Sequence, residues 1–255
     1  MNRVKKLAAL LLVLALGTGT ALAAPMFPPT QAMPAFSDLS PQGTTGGTWY
    51  DYNSVKICVE AGLMKGTGAA FQPGGVVTIA EVATIAGRIH EKTANAPLPA
   101  QIPGQPWYAP AMERMAALGI DVGGGAETSS SRSSFVRMLA AVLPHSMTVP
   151  INTITSLPDS SDTDVLRFYN AGFLTGKDIY GTFDGAGTLT RAEVAAMVAR
   201  MADTTLRKAF SPAYTPQNGG GQSIQALPQP DVPDELLDLT EPAPAEETPA
   251  PLTLN

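Results

Sequence analysis

Thr190-Arg191-Ala192-Glu193 opens a run in which Val194, Met197, Val198 and Met201 fall at relative positions 0, 3, 4 and 7. Those positions share one face of a 3.6-residue period, so the spacing predicts an amphipathic helix. Thr190 stands where an N-cap belongs and Glu193 three residues on, so each side chain can satisfy a backbone N–H that the helix leaves orphaned. The construction recurs twice. Thr78-Ile79-Ala80-Glu81 leads into Val82, Ile85, Ala86 and Ile89, and Ser131-Arg132-Ser133-Ser134 leads into Phe135, Met138, Leu139 and Val142. Three copies in one apolar register predict an internal repeat.

A second helix precedes each cap. Gly62, Gly119 and Gly172 each stop an apolar stripe, where a helix end calls for a left-handed residue. The stripes are Val55, Cys58 and Val59; Met112, Met115 and Ala116; Val165, Phe168 and Tyr169. The predicted unit is therefore helix, Gly stop, loop, capped helix, spaced 57 and then 53 residues from Gly to Gly. A lone helix pair cannot bury its own apolar face, so the copies are expected to pack on one another.

In content and order, Phe36-Ser37-Asp38, Trp49-Tyr50, Ala61-Gly62-Leu63-Met64-Lys65-Gly66, Phe71-Gln72-Pro73 and Thr78-Ile79-Ala80-Glu81 resemble the S-layer homology module of bacterial cell envelopes. Leu157-Pro158-Asp159 through Thr190-Arg191-Ala192-Glu193 is similar to the same module. The middle copy keeps Trp107-Tyr108 and Gly119 but lacks the Phe-x-Asp opening and the capping Glu. The resemblance spans residues 36 to 203. It implies an all-α fold of three helix-loop-helix repeats packed as a pseudo-three-fold bundle, followed by a disordered C-terminal tail.

The expected organisation is a signal peptide at 1–23, a Pro-rich lead at 24–35, repeat 1 at 36–92 and a linker at 93–106. A degenerate repeat 2 at 107–143, a linker at 144–156, repeat 3 at 157–210 and an acidic Pro-rich tail at 211–255 complete it. Arg3, Lys5 and Lys6 precede the apolar run Leu7 to Leu16, and Ala21-Leu22-Ala23 is a small-x-small cleavage site. The run is short of the ~20 residues that span a bilayer, so the mature chain is expected not to be transmembrane. Removing the signal takes three of 16 basic residues and leaves 13 against 22 acidic ones, which argues against nucleic acid as a partner. The tail has nine prolines, seven acidic residues and no Lys or Arg, too little apolar surface to offset its ordering entropy. Within it, Asp234 to Leu239 is a candidate acidic amphipathic turn for a protein partner.

The resemblance implies non-covalent binding of secondary cell-wall polysaccharide, including pyruvylated polymer, at the surface of a Gram-positive-type envelope. A carboxylate-bearing sugar calls for a fixed cation and an apolar platform, which Arg and Trp supply. The family's arginine is Arg191 in the third copy, Arg132 in the second, and is replaced by Ile79 in the first. The groove tryptophan is Trp49 or its neighbour Tyr50, then Trp107, with Ser160 at that spacing in the third copy. The aspartate is Asp38 or Asp159, absent from the second copy. Arg191 at a helix start is also expected to share free N–H groups with an anion. Two arrangements stay open: one groove built from Arg191, Asp38 and Trp49, or Arg132 paired with Trp107. Thr190, Glu193, Thr78, Glu81 and Ser131 are expected as helix caps.

No enzyme, metal or cofactor is expected. His90 and His145 each lack a partner at ligand spacing, and the run Asp178 to Gly185 puts Tyr180 and Arg191 where a calcium loop needs carboxylates. Cys58, alone, is expected to be buried packing. The rival reading is a degenerate repeat scaffold that acts through protein contacts in the envelope without glycan binding.

Overall fold

In the computed structural model, which describes residues 25–45 and 47–213, each predicted amphipathic run is a helix. They are α1 (Tyr52–Glu60), α2 (Ile79–Ala94), α3 (Ala109–Ala117), α4 (Arg132–Val142), α5 (Thr163–Asn170) and α6 (Arg191–Ala202). A hairpin of two-residue strands, β1 (Thr44–Thr45) with β2 (Thr48–Trp49), precedes α1, so the regular structure of the described residues is mostly helix with almost no strand. The signal-peptide residues and the tail beyond residue 213 lie outside the described residues. The described residues all belong to one compact unit.

The helix boundaries follow the local chemistry. Thr78 and Thr190 form reciprocal capping boxes with Glu81 and Glu193, and Ser131 accepts from the Ser134 N–H. Gly62, Gly119 and Gly172 end α1, α3 and α5 at φ of +72°, +68° and +75°, the left-handed region that favours glycine. Asp51 and Asp162 cap α1 and α5, a role the sequence reading left out, whereas Tyr108 before α3 makes no side-chain cap.

Burial follows the predicted stripes with one exception. The apolar faces of α2, α4 and α6 join Val55, Cys58, Val59, Val165, Phe168 and Tyr169 in one core. On α3 only Ala111 and Met115 are buried, and Ala116 is exposed instead of facing the core. The helices pair across the chain: α1 packs on α6, α3 on α2, α5 on α4, and α2 also meets α4. Each first helix thus rests on the capped helix of the preceding pair, and α1 rests on the last. Cys58 is fully buried there, its thiol reaching the Ala195 carbonyl at 3.3 Å, and burial pushes the thiol pKa up, away from reactivity.

Each cap is bridged to the residue two positions before another cap. Val76 bridges to Thr190, Thr78 to Ser129 and Ser131 to Thr188. These three contacts tie the three capped helices together at their N-terminal ends.

Candidate functional site

The starts of the capped helices are closed by neighbouring loops. Arg191 N–H donates to the Gly75 carbonyl at 2.8 Å and Ala192 N–H to Pro73 at 2.9 Å. Ile79 and Ala80 do the same to Thr128 and Ala126, and Arg132 and Ser133 to Gly187 and Gly185. Thr190 and Glu193 satisfy the next donors. The N–H groups expected to be free for an anion beside Arg191 are therefore occupied by protein carbonyls. That expectation fails because the loop of the next pair fills the helix end.

The Arg191 side chain is buried in the same seam. Its Nε donates to the Phe71 carbonyl at 2.8 Å, one terminal nitrogen pairs with Glu81 at 2.6 Å, and the other donates to the Lys65 carbonyl at 2.6 Å. Its guanidinium carbon lies 4.8 Å from the centroid of the Phe71 ring. Asp38 holds the far side of this turn, accepting from the N–H groups of Phe71 and Gln72 at 2.8 and 2.6 Å. Gln72 has φ of +61°, so two carboxylate bonds stabilise a turn the backbone disfavours.

The same construction stands at a second seam. Arg132 Nε donates to the Phe183 carbonyl at 2.7 Å, and its guanidinium lies over that ring and 3.7 Å from Glu193. Asp159 accepts from Phe183 and Asp184 N–H groups, and Asp184 has φ of +53°. Counting from the caps, the third seam has Ile79 for the arginine, Gly124 for the phenylalanine and Ser134 for the glutamate. A Cβ on Gly124 would lie 3.0 Å from Ile79 Cδ1, so the isoleucine occupies the room that a ring would need. The departures scattered over three copies in the sequence thus gather at one interface.

A groove of about 470 Å³ opens beside Arg191 and is lined by Lys65, Glu81, Arg88 and Trp107, among others. Trp107 is 59% exposed. Arg88 donates to the Leu63 carbonyl at 2.9 Å, which fixes the loop that carries Lys65, and burial lowers its pKa. Trp107, Glu81 and Arg191 also line an adjoining cavity of about 360 Å³ with Gln72, Tyr108 and Glu127. Three cations against one carboxylate, beside an exposed indole face, form a surface able to hold an anionic, partly apolar ligand.

The expected grouping of Arg191 with Asp38 and Trp49 is not what the fold assembles. Asp38 is taken up by the Phe71 turn, and Trp49, 68% exposed, lines a separate cavity of about 280 Å³ with Asp51, Arg200 and Lys208. Nor does Arg132 meet Trp107, since its partners are Phe183 and Glu193. Arg191 lines its groove with Trp107 instead. Trp49 with Arg200 repeats Trp107 with Arg88, because Arg200 donates to the Phe173 carbonyl as Arg88 does to Leu63. Lys65, Arg88 and Arg200 were missed as site residues. Their signal was the shared spacing of Arg88 and Arg200, ten residues after the caps Thr78 and Thr190.

Among the described residues no group of three or more His, Cys, Asp or Glu is placed to hold a metal ion. His90 accepts at Nδ1 from Arg114 at 2.9 Å, and Arg114 also donates to the Ala96 and Pro97 carbonyls, clipping the linker to α3. Burial, then the Arg114 charge, holds the imidazole pKa below its ordinary 6.5. Folding therefore favours neutral His90, and this contribution is complete above 6.5 and lost as pH falls through the lowered value. Urea midpoints at about pH 7.5 and about pH 5 should differ more in the natural chain than in His90→Gln. Equal differences would remove His90 from the pH response.

Residues 44–83, from the hairpin through α1 and the Lys65–Phe71 loop into α2, match the family model of the S-layer homology domain. No curated protein matches the chain. The domain is one of cell-surface and S-layer association, anchoring to cell-wall polymers in general. Among the described residues no helix is long and apolar enough to cross a membrane. Trp49, Lys65, Phe71 and Glu81 all lie inside the stretch, residues 44–83, that is an S-layer homology domain.

Proposed function

We propose that the three helix pairs are three copies of one S-layer homology repeat about a pseudo-three-fold axis, and that the chain binds secondary cell-wall polysaccharide non-covalently. The observation that carries this reading is exposed Trp107 beside Lys65, Arg88 and Arg191 in one groove. An anionic sugar unit would set its carboxylate against the cations and its C–H face on the indole. The Trp49 and Arg200 cavity is the second candidate groove, and the Ile79–Gly124 seam carries none. The chain acts as a binding protein, not an enzyme, exported to the surface of a Gram-positive-type envelope, with Asp234 to Leu239 of the acidic tail as the candidate sequence for a protein partner.

Co-sedimentation on cell walls, before and after mild acid removes wall polymers, tests this directly. Binding should vanish with stripping, and Trp107→Ala should weaken it about ten-fold or more, ~1.4 kcal/mol, at an unchanged unfolding midpoint. Full binding by both Trp107→Ala and Trp49→Ala would overturn the groove assignment.

A scaffold role without glycan has one observation in its favour. The guanidinium groups of Arg191 and Arg132 are both engaged by protein acceptors. Under that reading neither wall preparation retains the protein.

A further inference from the structure

The three capped helices start on the same two bonds, and the residue held between those bonds differs. At α6 the first two N–H groups go to the Gly75 and Pro73 carbonyls, and Gly74 lies between the acceptors. At α4 they go to Gly187 and Gly185, with Ala186 between. At α2 they go to Thr128 and Ala126 at 2.9 and 2.8 Å, and the residue between is Glu127. Only at α2 does a charged side chain take that place. Both flanking carbonyls are bonded, so the Glu127 backbone is fixed against the start of α2 while the residue itself stays exposed.

Its surroundings differ from those of Gly74. A Cβ on Gly74 would lie 3.1 Å from the Thr48 hydroxyl, so the neighbour of Trp49 closes that space. At Glu127 the adjacent side chain is Tyr108, the neighbour of Trp107. The Tyr108 hydroxyl donates to a Glu127 carboxylate oxygen at 3.5 Å, and its ring meets the Trp107 indole edge-on with centroids 5.4 Å apart.

Glu127 and Tyr108 line the cavity of about 360 Å³ that adjoins the Trp107 groove. Arg191 and Glu81 line both spaces and neutralise each other at 2.6 Å. What remains is Lys65 and Arg88 on the groove side and Glu127 on the cavity side, with the indole common to both. A carboxylate and an ammonium group on neighbouring units of one polymer would each meet the opposite charge across Trp107. Reversed, each would meet its own sign, so the arrangement also selects the direction of the polymer.

We propose that Glu127 forms a second, acidic subsite of the Trp107 groove, and that this subsite takes a sugar unit carrying a free amino group next to the anionic unit. The inference rests on the glycan-binding reading and adds to it a polymer of mixed charge. The Trp49 cavity lacks this subsite: Thr48 stands against Gly74 there, and the Asp51 carboxylate is committed to the start of α1 through Asn53 and Ser54.

The test uses the full chain with Trp49→Ala, in which Trp107 is the one remaining tryptophan and its fluorescence reports the groove. Wall polymer released by mild acid, and freed of ester-linked aminoacyl groups by mild alkali, is titrated in before and after N-acetylation. The reference chain should bind the unacetylated polymer about three-fold more tightly than the acetylated one, the scale of an exposed ion pair. Adding Glu127→Gln should make the two affinities equal at an unchanged unfolding midpoint. A preference that survives Glu127→Gln, or a reference chain that binds both polymers equally, would overturn the subsite. No fluorescence response to either polymer would overturn the glycan reading itself, and the subsite with it.

Discussion

Arg191→Ala should destabilise the folded unit by about 3–5 kcal/mol, the cost of breaking a buried ion pair by removing one partner. The side chain is 8% exposed and pairs with a Glu81 that is itself only 25% exposed. Its loss also leaves the buried Phe71 carbonyl without a donor, and an unsatisfied buried group costs about 1–3 kcal/mol. The equivalent Arg132→Ala should cost less, because Glu193 stands 3.7 Å away and is 44% exposed. Urea unfolding of the two variants measures both. A loss under about 1 kcal/mol for Arg191→Ala would rank its pair with solvent-exposed ones and return the arginine to ligand binding alone. This expectation also explains why Arg191 is a poor first choice for mapping a glycan groove: its removal disturbs the seam that builds the groove.

Phe71→Ala should be comparably severe, about 3–5 kcal/mol, as for other fully buried aromatic truncations. Phe71 is fully buried, packs against Phe36 with the rings tilted and their centroids 5.9 Å apart, and supports the Arg191 guanidinium on its ring. Thermal unfolding would show the effect as a lower midpoint. Because the ring and Arg191 share one seam, the double variant Phe71→Ala with Arg191→Ala should fall short of the sum of the two single losses. Strict additivity would mean that ring and guanidinium stabilise the fold independently.

The helices, their starts and their stops were legible because each is decided within a few residues. Thr190 and Glu193 are three apart, and the Gly172 stop needs only its own missing Cβ. The partners of Arg191 were not legible, since Glu81 is 110 and Phe71 120 residues away in the chain. Periodicity says that Arg191 lies at a helix start. It does not say which loop closes that start. Trp49 and Trp107 were recognisable as groove candidates, but their assignment to Arg200 and Arg191 depends on which helix pair packs on which. The apparent decay of the middle copy became interpretable only when Ile79, Gly124 and Ser134 were seen to belong to one interface. The exposure of Ala116 had no local cause at all, because what buries its counterparts is a segment about thirty residues earlier in the first copy and about twenty in the third.

The packing of α1 on α6 has a consequence for how this chain acquires its structure. Cys58 meets Ala195 across 137 residues, and Met26 and Phe27 bond to the Ala202 carbonyl at the far end of α6. A chain delivered with its N-terminus first exposes α1 long before α6 arrives, so the apolar face of α1 stays without its partner through most of that delivery. Contacts of such sequence separation slow folding. They also postpone the burial of α1, whose apolar face gains its partner only when the last helix arrives.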